Sequence, residues 1–411
     1  MSESVVQNVL LQLIVVIAFA RLAAWCAQRL GQAEVVGEML AGILLGPSVF
    51  GYLAPDVFSS VFVANTSPVF GALAQIGLVF LMFQIGLEFE ISAVAPAKRT
   101  VLLVSLFGIV VPLALGGATA SYFYDRLADP RPAATSFTLI FAVSMSITAL
   151  PVLGRILAET GVARTRAGAI AIGAAAIDDL VGWSLLAAVM LLISGEFSIE
   201  WVGVRLICIC VICAVAAYVV RPLLHRYFNH HLAKHERLTH TGISVTVVLL
   251  FVFALVTSLV GLHALIGGFL LGVTLHQHQP FVAEWRMRIT PLVNTLFVPV
   301  FFAYTGLRTD IGGLHGGADV LQCGVICVIA FVAKFGGGYL GARLAGESGQ
   351  TAKMLGTCMN TRGLMELVVL NVGYDLGVLP RSLFTQLVYM AVLTTLIATP
   401  LIRRYVRDDA A

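Results

Sequence analysis

The sequence predicts an all-α polytopic membrane protein of about thirteen transmembrane helices, arranged as two inverted-topology repeats with broken crossing helices. Of its 411 residues, 59% are hydrophobic and 11% are charged, against roughly 25% charged in an ordinary soluble domain. Apolar segments near the roughly 20 residues that a spanning helix needs recur along nearly the whole chain. The two halves also resemble each other. We therefore expect residues 1–411 to form one membrane domain without a soluble domain.

Hydropathy divides the chain into thirteen predicted spans. The N-terminus has no basic n-region, and the apolar run after it is too long for a cleaved signal peptide, so it is assigned to the first span. The ninth span is the shortest; we expect it to be tilted or partly re-entrant, and the count falls to twelve if it does not cross. The predicted spans are 5–28, 34–53, 68–88, 100–124, 135–158, 167–194, 201–224, 241–261, 263–277, 290–307, 318–344, 352–375 and 382–402.

The distribution of basic residues predicts the orientation. Most Lys and Arg residues, including Arg155, fall in alternate loops on one side of the membrane. The other side holds only Arg126, Arg131, Arg308 and Arg381. Because cytoplasmic loops carry the excess of basic residues, we expect the N-terminus outside and the C-terminus in the cytoplasm.

Three segment pairs predict an internal repeat. Members of each pair lie seven spans apart, an odd separation that reverses the direction in which a segment crosses the membrane. The first repeat is expected at about 5–194, a linker helix at about 201–224 and the second repeat at about 241–402. The pairs are FQIGLEFEI (83–91) with AYTGLRTDI (303–311), VGEMLAGI (36–43) with IGGFLLGV (266–273), and SMSITALPVL (144–153) with CMNTRGLMEL (358–367).

The fifth and twelfth spans are predicted to be broken helices. Thr148 and Pro151 interrupt span five, and Asn360 and Gly363 interrupt span twelve. Proline removes a backbone donor, and carbonyls and half-helix ends freed at mid-membrane can coordinate ions. The alternative is a tolerated kink without a binding role.

Five ionisable residues lie well inside predicted spans: Asp178, Asp179, Lys334, Arg362 and Glu366. Each costs roughly 2.5 to 3.5 kcal/mol at the centre of a span, so partners are expected. Arg362 and Glu366 are four residues apart on one helix face and can form a stabilising charge pair.

Asp178 and Asp179 point about 100° apart on a helix, so both cannot face one partner. One aspartate can pair with Lys334 while the other acts as a hard oxygen ligand for a small cation, and cation and protons would then compete for the same carboxylates. The alternative, a structural salt-bridge cluster, leaves the second aspartate unpaired.

These motifs give the chain a resemblance, over essentially its whole length, to the monovalent cation/proton antiporters, the group of bacterial sodium/proton antiporters and Kef-like transporters. AIDDLVGW resembles the family's paired-aspartate motif, Lys334 its electrogenic lysine, and YTGLRTDI and MNTRGLMELVVLNVGYDLG its late-helix signatures. The resemblance implies Asp179 as the principal cation and proton ligand, Asp178 as the partner of Lys334, and Thr148 at the break of span five.

The resemblance also implies a homodimer in the lipid of a bacterial inner membrane. A core domain, spans four to six and eleven to thirteen, would move against a dimerisation domain. The expected function is electrogenic exchange of Na⁺, or Li⁺, for protons, with no enzymatic activity, no cofactor and no nucleic acid partner. The Asp-Asp pair and the end of the chain at residue 411 differ from the Gln-Asp pair and the regulatory domain usual in Kef-like transporters.

Other functions stay open at this point. Potassium/proton exchange would use the same scaffold, and a sodium-coupled symporter of organic anions or an ion channel would also need buried charges. The predicted loop 221–240 contains five histidines, which fit a pH sensor, a metal site or a basic cytoplasmic loop. Cys208, Cys210 and Cys213 lack the second ligand cluster that a zinc site requires.

Overall fold

The computed structural model describes residues 3–63, 67–89, 95–127, 131–194, 199–235, 237–260, 263–307 and 316–410. The regular structure in these ranges is entirely helical. The main helices are α1 (Glu3–Arg29), α2 (Glu34–Leu45), α3 (Ser67–Glu88), α4 (Lys98–Tyr124), α5 (Ala134–Ser146), α6 (Leu150–Glu159), α7 (Arg166–Ser194), α8 (Ile199–Val215), α9 (Arg221–His235), α10 (His240–Leu259), α11 (Ala264–Leu275), α12 (Gln279–Arg288), α13 (Val298–Leu307), α14 (Gly317–Leu344), α15 (Gly349–Met359), α16 (Leu364–Asp375) and α17 (Arg381–Ala410).

Short helical turns complete the described backbone. They are Phe50–Leu53, Pro55–Val61, the 3₁₀ turn Ala95–Ala97, the π turn Ala216–Val220, Thr290–Leu292 and the π turn Val293–Phe297.

Ten helices in the described ranges are long and apolar enough to cross a bilayer, or eleven when the pair 279–304, bent by 45°, is counted as one span. The protein is therefore an integral membrane protein. The predicted count of thirteen also needs the short helix α11 and the interrupted pair α15–α16 to cross, and it stays a prediction.

Both predicted helix breaks are present. The fifth predicted span consists of α5 and α6, separated by residues 147–149, and the twelfth consists of α15 and α16, separated by residues 360–363. The broken pairs are packed among α4, α7, α14 and α17.

The two halves pack their helices in the same way. Gly37 of α2 lies against the backbone of Ala23, and Gly267 of α11 lies against the backbone of Phe253. The two glycines are 230 residues apart, and so are their two partners. A Cβ at either glycine would overlap main-chain atoms, so each glycine permits the same close approach.

Two further sets of matched contacts follow this pattern. Gly42 lies against the backbone of Ala303, and Gly272 lies against the backbone of Phe83. In the aligned repeats Gly42 corresponds to Gly272, and Phe83 corresponds to Ala303. In the other set, Gly116 contacts Ala142 and Met145 in the first half. The matching contacts in the second half are those of Gly338 with Gly356 and Met359. These shared contacts agree with the predicted repeat, whose boundaries remain an expectation.

The predicted loop at 221–240 is wrong for most of its length, because a helix continues from Ile199 through a π turn to His235. Leu224, Phe228 and His231 are buried at helical spacing, so this polar extension is amphipathic. Phe228 packs on Phe281 of α12, with ring centroids 4.5 Å apart. Packing of one face against α12 explains why a strongly charged segment stays helical.

Candidate functional site

The two helix breaks cross and hydrogen-bond to each other. Ile147 is extended, with φ −81° and ψ 141°, and the backbone N–H of Ala149 donates to the carbonyl of Thr361 at 2.9 Å. Pro151 lies in the first turn of α6, where a missing N–H costs nothing. The breaks therefore form one unit at the centre of the site.

Two cationic side chains bind the carbonyl end of the half-helix α5. Arg362 donates to the carbonyls of Ser144 and Met145, both at 2.7 Å, and Lys334 Nζ donates to the carbonyl of Ser146 at 2.5 Å. The last carbonyls of a helix have no partner within it and carry the negative end of the helix dipole. The positive charges thus replace the hydrogen bonds that α5 loses by ending inside the protein.

Lys334 also binds α4 where a proline interrupts its hydrogen bonds. Its Nζ donates to the carbonyl of Gly108 at 2.7 Å. Pro112, four residues later, has no N–H to bond this carbonyl. The third partner of Lys334 is Asp178 Oδ2 at 2.9 Å, and both side chains are fully buried.

Three donors saturate Asp178. Ser105 donates to its Oδ1 at 2.7 Å, while Thr148 and Lys334 donate to its Oδ2 at 2.7 and 2.9 Å. The Thr148 hydroxyl also lies 3.2 Å from the carbonyl oxygen of Met359 in the other broken helix. Asp178 is thereby held in place by α4, α14 and the break of span five.

Asp179, the next residue on α7, is in the opposite situation. Its side chain is 2% exposed, and neither carboxylate oxygen forms a hydrogen bond with a group in the described residues. The backbone N–H of Leu150, at the amino end of α6, faces it without reaching hydrogen-bond geometry. A buried carboxylate in this condition needs a proton or a cation.

Arg362 and Glu366 form the expected pair, with Nη1 and Oε1 3.2 Å apart and both side chains fully buried. Thr395 of α17 fixes the backbone at this point, since its Oγ1 accepts from the N–H of Arg362 at 2.8 Å. Asn360, also at this break, keeps a buried Oδ1 that has no hydrogen-bond partner in the described residues.

The structure thus brings Asp178, Lys334 and Thr148 together, places Asp179 beside them and pairs Arg362 with Glu366. Sequence reasoning missed Ser105 and Thr395, because a hydroxyl in an apolar helix carries no cost that reveals it. It also treated Arg155 as a loop residue, which is wrong: Arg155 lies in α6 and is 8% exposed. Glu38, fully buried in α2, was missed as well.

The histidine segment contains no metal centre in its described part. Among the described residues no three His, Cys, Asp or Glu side chains are arranged to hold a metal ion. His278 Nε2 lies 2.9 Å from Asn229 Oδ1, and the rings of His225 and His278 are 5.5 Å apart. The side chains of His235 and Arg205 lie outside the described residues.

Residues 14–407 of this chain match the protein family described as "Sodium/hydrogen exchanger, transmembrane". The Na(+)/H(+) antiporter NhaS4 of Synechocystis is 34% identical over 96% of this chain and 96% of its own length. Cation/H(+) antiporter 18 of Arabidopsis thaliana is 33% identical over 96% of this chain, which spans 48% of that longer protein.

The fold is similar to a solved structure, the sodium proton antiporter MjNhaP1 from Methanocaldococcus jannaschii. The TM-score is 0.68 at 17% sequence identity, and the match covers 99% of this chain and 97% of the other. At this identity the likeness establishes the fold alone.

Proposed function

Because this chain belongs to the transmembrane sodium/hydrogen exchanger family, we propose that it is a secondary active antiporter that exchanges Na⁺, and also Li⁺, for protons. The observation that carries the proposal is the contrast between two adjacent acids. Asp178 accepts three hydrogen bonds, whereas the buried carboxylate of Asp179 accepts none with hydrogen-bond geometry from the described residues. Asp179 is the group left to take up a cation or a proton.

Asp179 is proposed as the principal ligand of the transported cation. A carboxylate oxygen is a hard ligand, suited to a small monovalent ion. Further oxygen atoms are the Oδ1 of Asn360, which has no hydrogen-bond partner among the described residues, and the hydroxyl of Thr148 at the crossing. A cation bound there displaces the proton of Asp179, and protonation releases the cation.

Lys334 is proposed to make the exchange electrogenic. In the proton-loaded state Asp179 is neutral and Lys334 is a cation paired with Asp178. In the cation-loaded state both aspartates are ionised, one cation is bound and Lys334 has given up its proton. Two protons are then exchanged for one monovalent ion, and the site differs by one charge between the two states.

The elevator-type motion is a further part of the proposal. The contact of Ala149 with Thr361 and the bonds of Arg362 and Lys334 join α5 to α14 and α16, which favours movement of α4–α7 and α14–α17 as one unit. The remaining helices would form the static part and the interface of a homodimer in the lipid of a bacterial inner membrane, with the N-terminus outside.

The test is proton flux in proteoliposomes supplied with Na⁺, Li⁺ or K⁺ in turn. We expect Asp179→Asn to abolish cation-driven proton release while the protein still folds. Asp375→Asn is the matched control, since Asp375 is exposed at the end of α16. A tenfold loss of rate corresponds to about 1.4 kcal/mol of activation free energy. Exchange in Asp179→Asn that stays above about a tenth of the wild-type rate removes Asp179 from the central role. Proton flux in response to K⁺, but not to Na⁺ or Li⁺, would mean that the protein exchanges potassium rather than sodium for protons.

A further inference from the structure

A second buried group of charges lies away from the two aspartates, where α1, α2 and α6 meet. Its members, called the boundary cluster below, are Arg21, Glu34, Glu38, Arg155 and Glu159. Helices α1 and α2 belong to the group of helices proposed to stay static, whereas α6 belongs to the group proposed to move. The cluster therefore spans the boundary between these two groups.

Hydrogen bonds and ion pairs cross this boundary. Arg155 Nε binds Glu159 Oε1 at 2.8 Å within α6, and Arg155 Nη2 lies 3.5 Å from Glu34 Oε2 of α2. The backbone N–H of Glu34 donates to Glu159 Oε2 at 2.7 Å. The amino end of α2 is thus attached to α6 through the Arg155–Glu159 pair.

Arg21 attaches the cluster to the rest of the static group. Its Nη1 lies 3.4 Å from Glu34 Oε2, and its Nη2 donates to the carbonyl of Asn294 at 2.9 Å. The distance from Arg21 Nη1 to Glu38 Oε1 is 3.9 Å, beyond hydrogen-bond range.

Glu38 is the member whose carboxylate forms no hydrogen bond in the described ranges. Its side chain is 0% exposed, and neither oxygen has a hydrogen-bond partner in the described residues. The charged groups that face it come from three helices, with Arg21 on α1, Glu34 on its own helix, and Arg155 and Glu159 on α6. Helix α13 also packs on α2, but its described titratable side chain, Tyr304, lies against Gly71 of α3.

The charges of the boundary cluster do not balance when every member is ionised. Three carboxylates face two guanidinium groups, which leaves one negative charge in excess. The Glu34 carboxylate accepts from Arg21, Gln28 and Arg155, and the Glu159 carboxylate accepts from Arg155 and the Glu34 backbone, so the excess falls on Glu38. A buried carboxylate without donors is far less costly when it is protonated.

Water has access to this region. A cavity of about 80 Å³ borders the cluster at Arg155, and its lining also includes Gln84, Glu88 and Asn294, whose carbonyl accepts from Arg21. One water molecule needs roughly 10–15 Å³ of cavity volume measured in this way, so the cavity has room for several water molecules. Neither Asp178 nor Asp179 lines this cavity, and Glu34 of the cluster is itself 27% exposed, so the cluster has its own contact with water.

We propose that Glu38 is a second proton-binding site, separate from Asp178 and Asp179, and that its proton keeps the Arg155 contact between α6 and α2 closed. Loss of the proton leaves one uncompensated buried negative charge between the two helix groups. Water can hydrate that charge only when α6 moves away from α2. The effect on transport rests on the exchange function proposed above, whereas proton binding by Glu38 does not.

The direct test is infrared spectroscopy of the protein in lipid, recorded as the pH is raised. Wild type should lose a protonated-carboxyl stretching band that is absent from Glu38→Gln at every pH. Glu284→Gln is the control, since Glu284 lies outside the boundary cluster and accepts hydrogen bonds from the backbone of Leu238 and from Arg288; it should keep the band. A wild-type spectrum identical to that of Glu38→Gln, or loss of the band in Glu284→Gln instead, overturns the proposal.

Glu38→Asp covers the case in which Glu38→Gln does not fold. A shorter carboxyl in the same place should shift the band, and an unshifted band places the proton elsewhere. In transport assays, the rise in rate with pH should be at least about fivefold smaller in Glu38→Gln than in wild type. An unchanged pH profile overturns the role in closing. Failure of the exchange function itself appears in the Asp179→Asn assay and leaves the infrared result unaffected.

Discussion

Lys334 Nζ lies 2.9 Å from Asp178 Oδ2, and neither side chain has any contact with solvent. The same Nζ binds the carbonyls of Gly108 and Ser146, so one ammonium group joins α4, α5, α7 and α14. Removal of this group therefore affects both the charge of the site and the attachment of the helices around it.

The first prediction concerns the dependence of transport on voltage. A membrane potential, negative inside, should drive Na⁺ extrusion by wild type at equal pH on both sides, because each uncompensated charge crossing the field is worth about 2.3 kcal/mol per 100 mV. Lys334→Gln should lose this dependence. The measurement is sodium flux in proteoliposomes with an imposed potassium/valinomycin potential. Wild-type flux indifferent to the sign of the potential would falsify the electrogenic mechanism and leave Lys334 as a structural partner of Asp178.

The second prediction compares the two adjacent aspartates. Asp178→Asn breaks a buried ion pair and should destabilise the protein by about 3–5 kcal/mol. Asp179→Asn removes an acid that forms no hydrogen bond within the described part of the chain, and it should be neutral or stabilising. Thermal unfolding of both variants in the same detergent checks the difference. Equal losses of stability would mean that Asp179 has structural partners as strong as those of Asp178.

The third prediction is a double-mutant cycle on Arg362 and Glu366. Glu366→Gln leaves a buried guanidinium group without its counter-charge, and Arg362→Gln also frees the carbonyls of Ser144 and Met145. Arg362→Gln should therefore cost more than Glu366→Gln, and the double variant should cost less than the sum by about 1–3 kcal/mol. Losses of thermal stability that simply add would show that the two side chains do not interact.

The fourth prediction concerns Glu347, in the connection between α14 and α15. Hydrogen bonds from Arg166, at 2.6 and 2.7 Å, and from Thr100 lower the pKa of Glu347 below its usual 4.5. A lowered pKa stabilises the fold above pH 4.5, and this contribution is lost as the pH falls through the folded-state pKa. Acid unfolding curves should show less loss of stability in that range for Glu347→Gln. Arg166→Gln should reduce this acid-dependent loss of stability similarly. An unfolding curve for Arg166→Gln that matches wild type contradicts the role given to the Arg166–Glu347 hydrogen bonds.

Much of this site follows from the cost of burying charge. Five ionisable residues in apolar spans must find partners, and so the pairs Asp178–Lys334 and Arg362–Glu366 could be anticipated. The burial of Glu38 was not predicted, because Glu38 lies four residues from the start of its span, where an acid is ordinarily assigned to the membrane surface. The burial of Arg155 was not predicted, because the fifth span ends only a few residues later.

The bond between Lys334 and Gly108 shows a different limit. Pro112 was recognisable as a helix breaker, and a free carbonyl four residues before it follows from the chemistry of proline. Which cation would take that carbonyl depends on how α4 and α14 are placed, and this is tertiary information. The helix that extends to His235 was missed for a similar reason, since Phe281, which packs on its buried Phe228, lies on another helix.

The matched glycine contacts of the two halves have a consequence for the balance between conformations. If each half took the shape that the other half has now, the site would face the opposite side of the membrane. The backbone alone would then favour neither side strongly. The preference must come from positions where the halves differ chemically, such as Glu38, whose counterpart 230 residues later is Gly268, or Lys334, whose counterpart on α4 is Pro112. A few unequal side chains on a nearly symmetric frame can thus set the resting direction of the whole molecule.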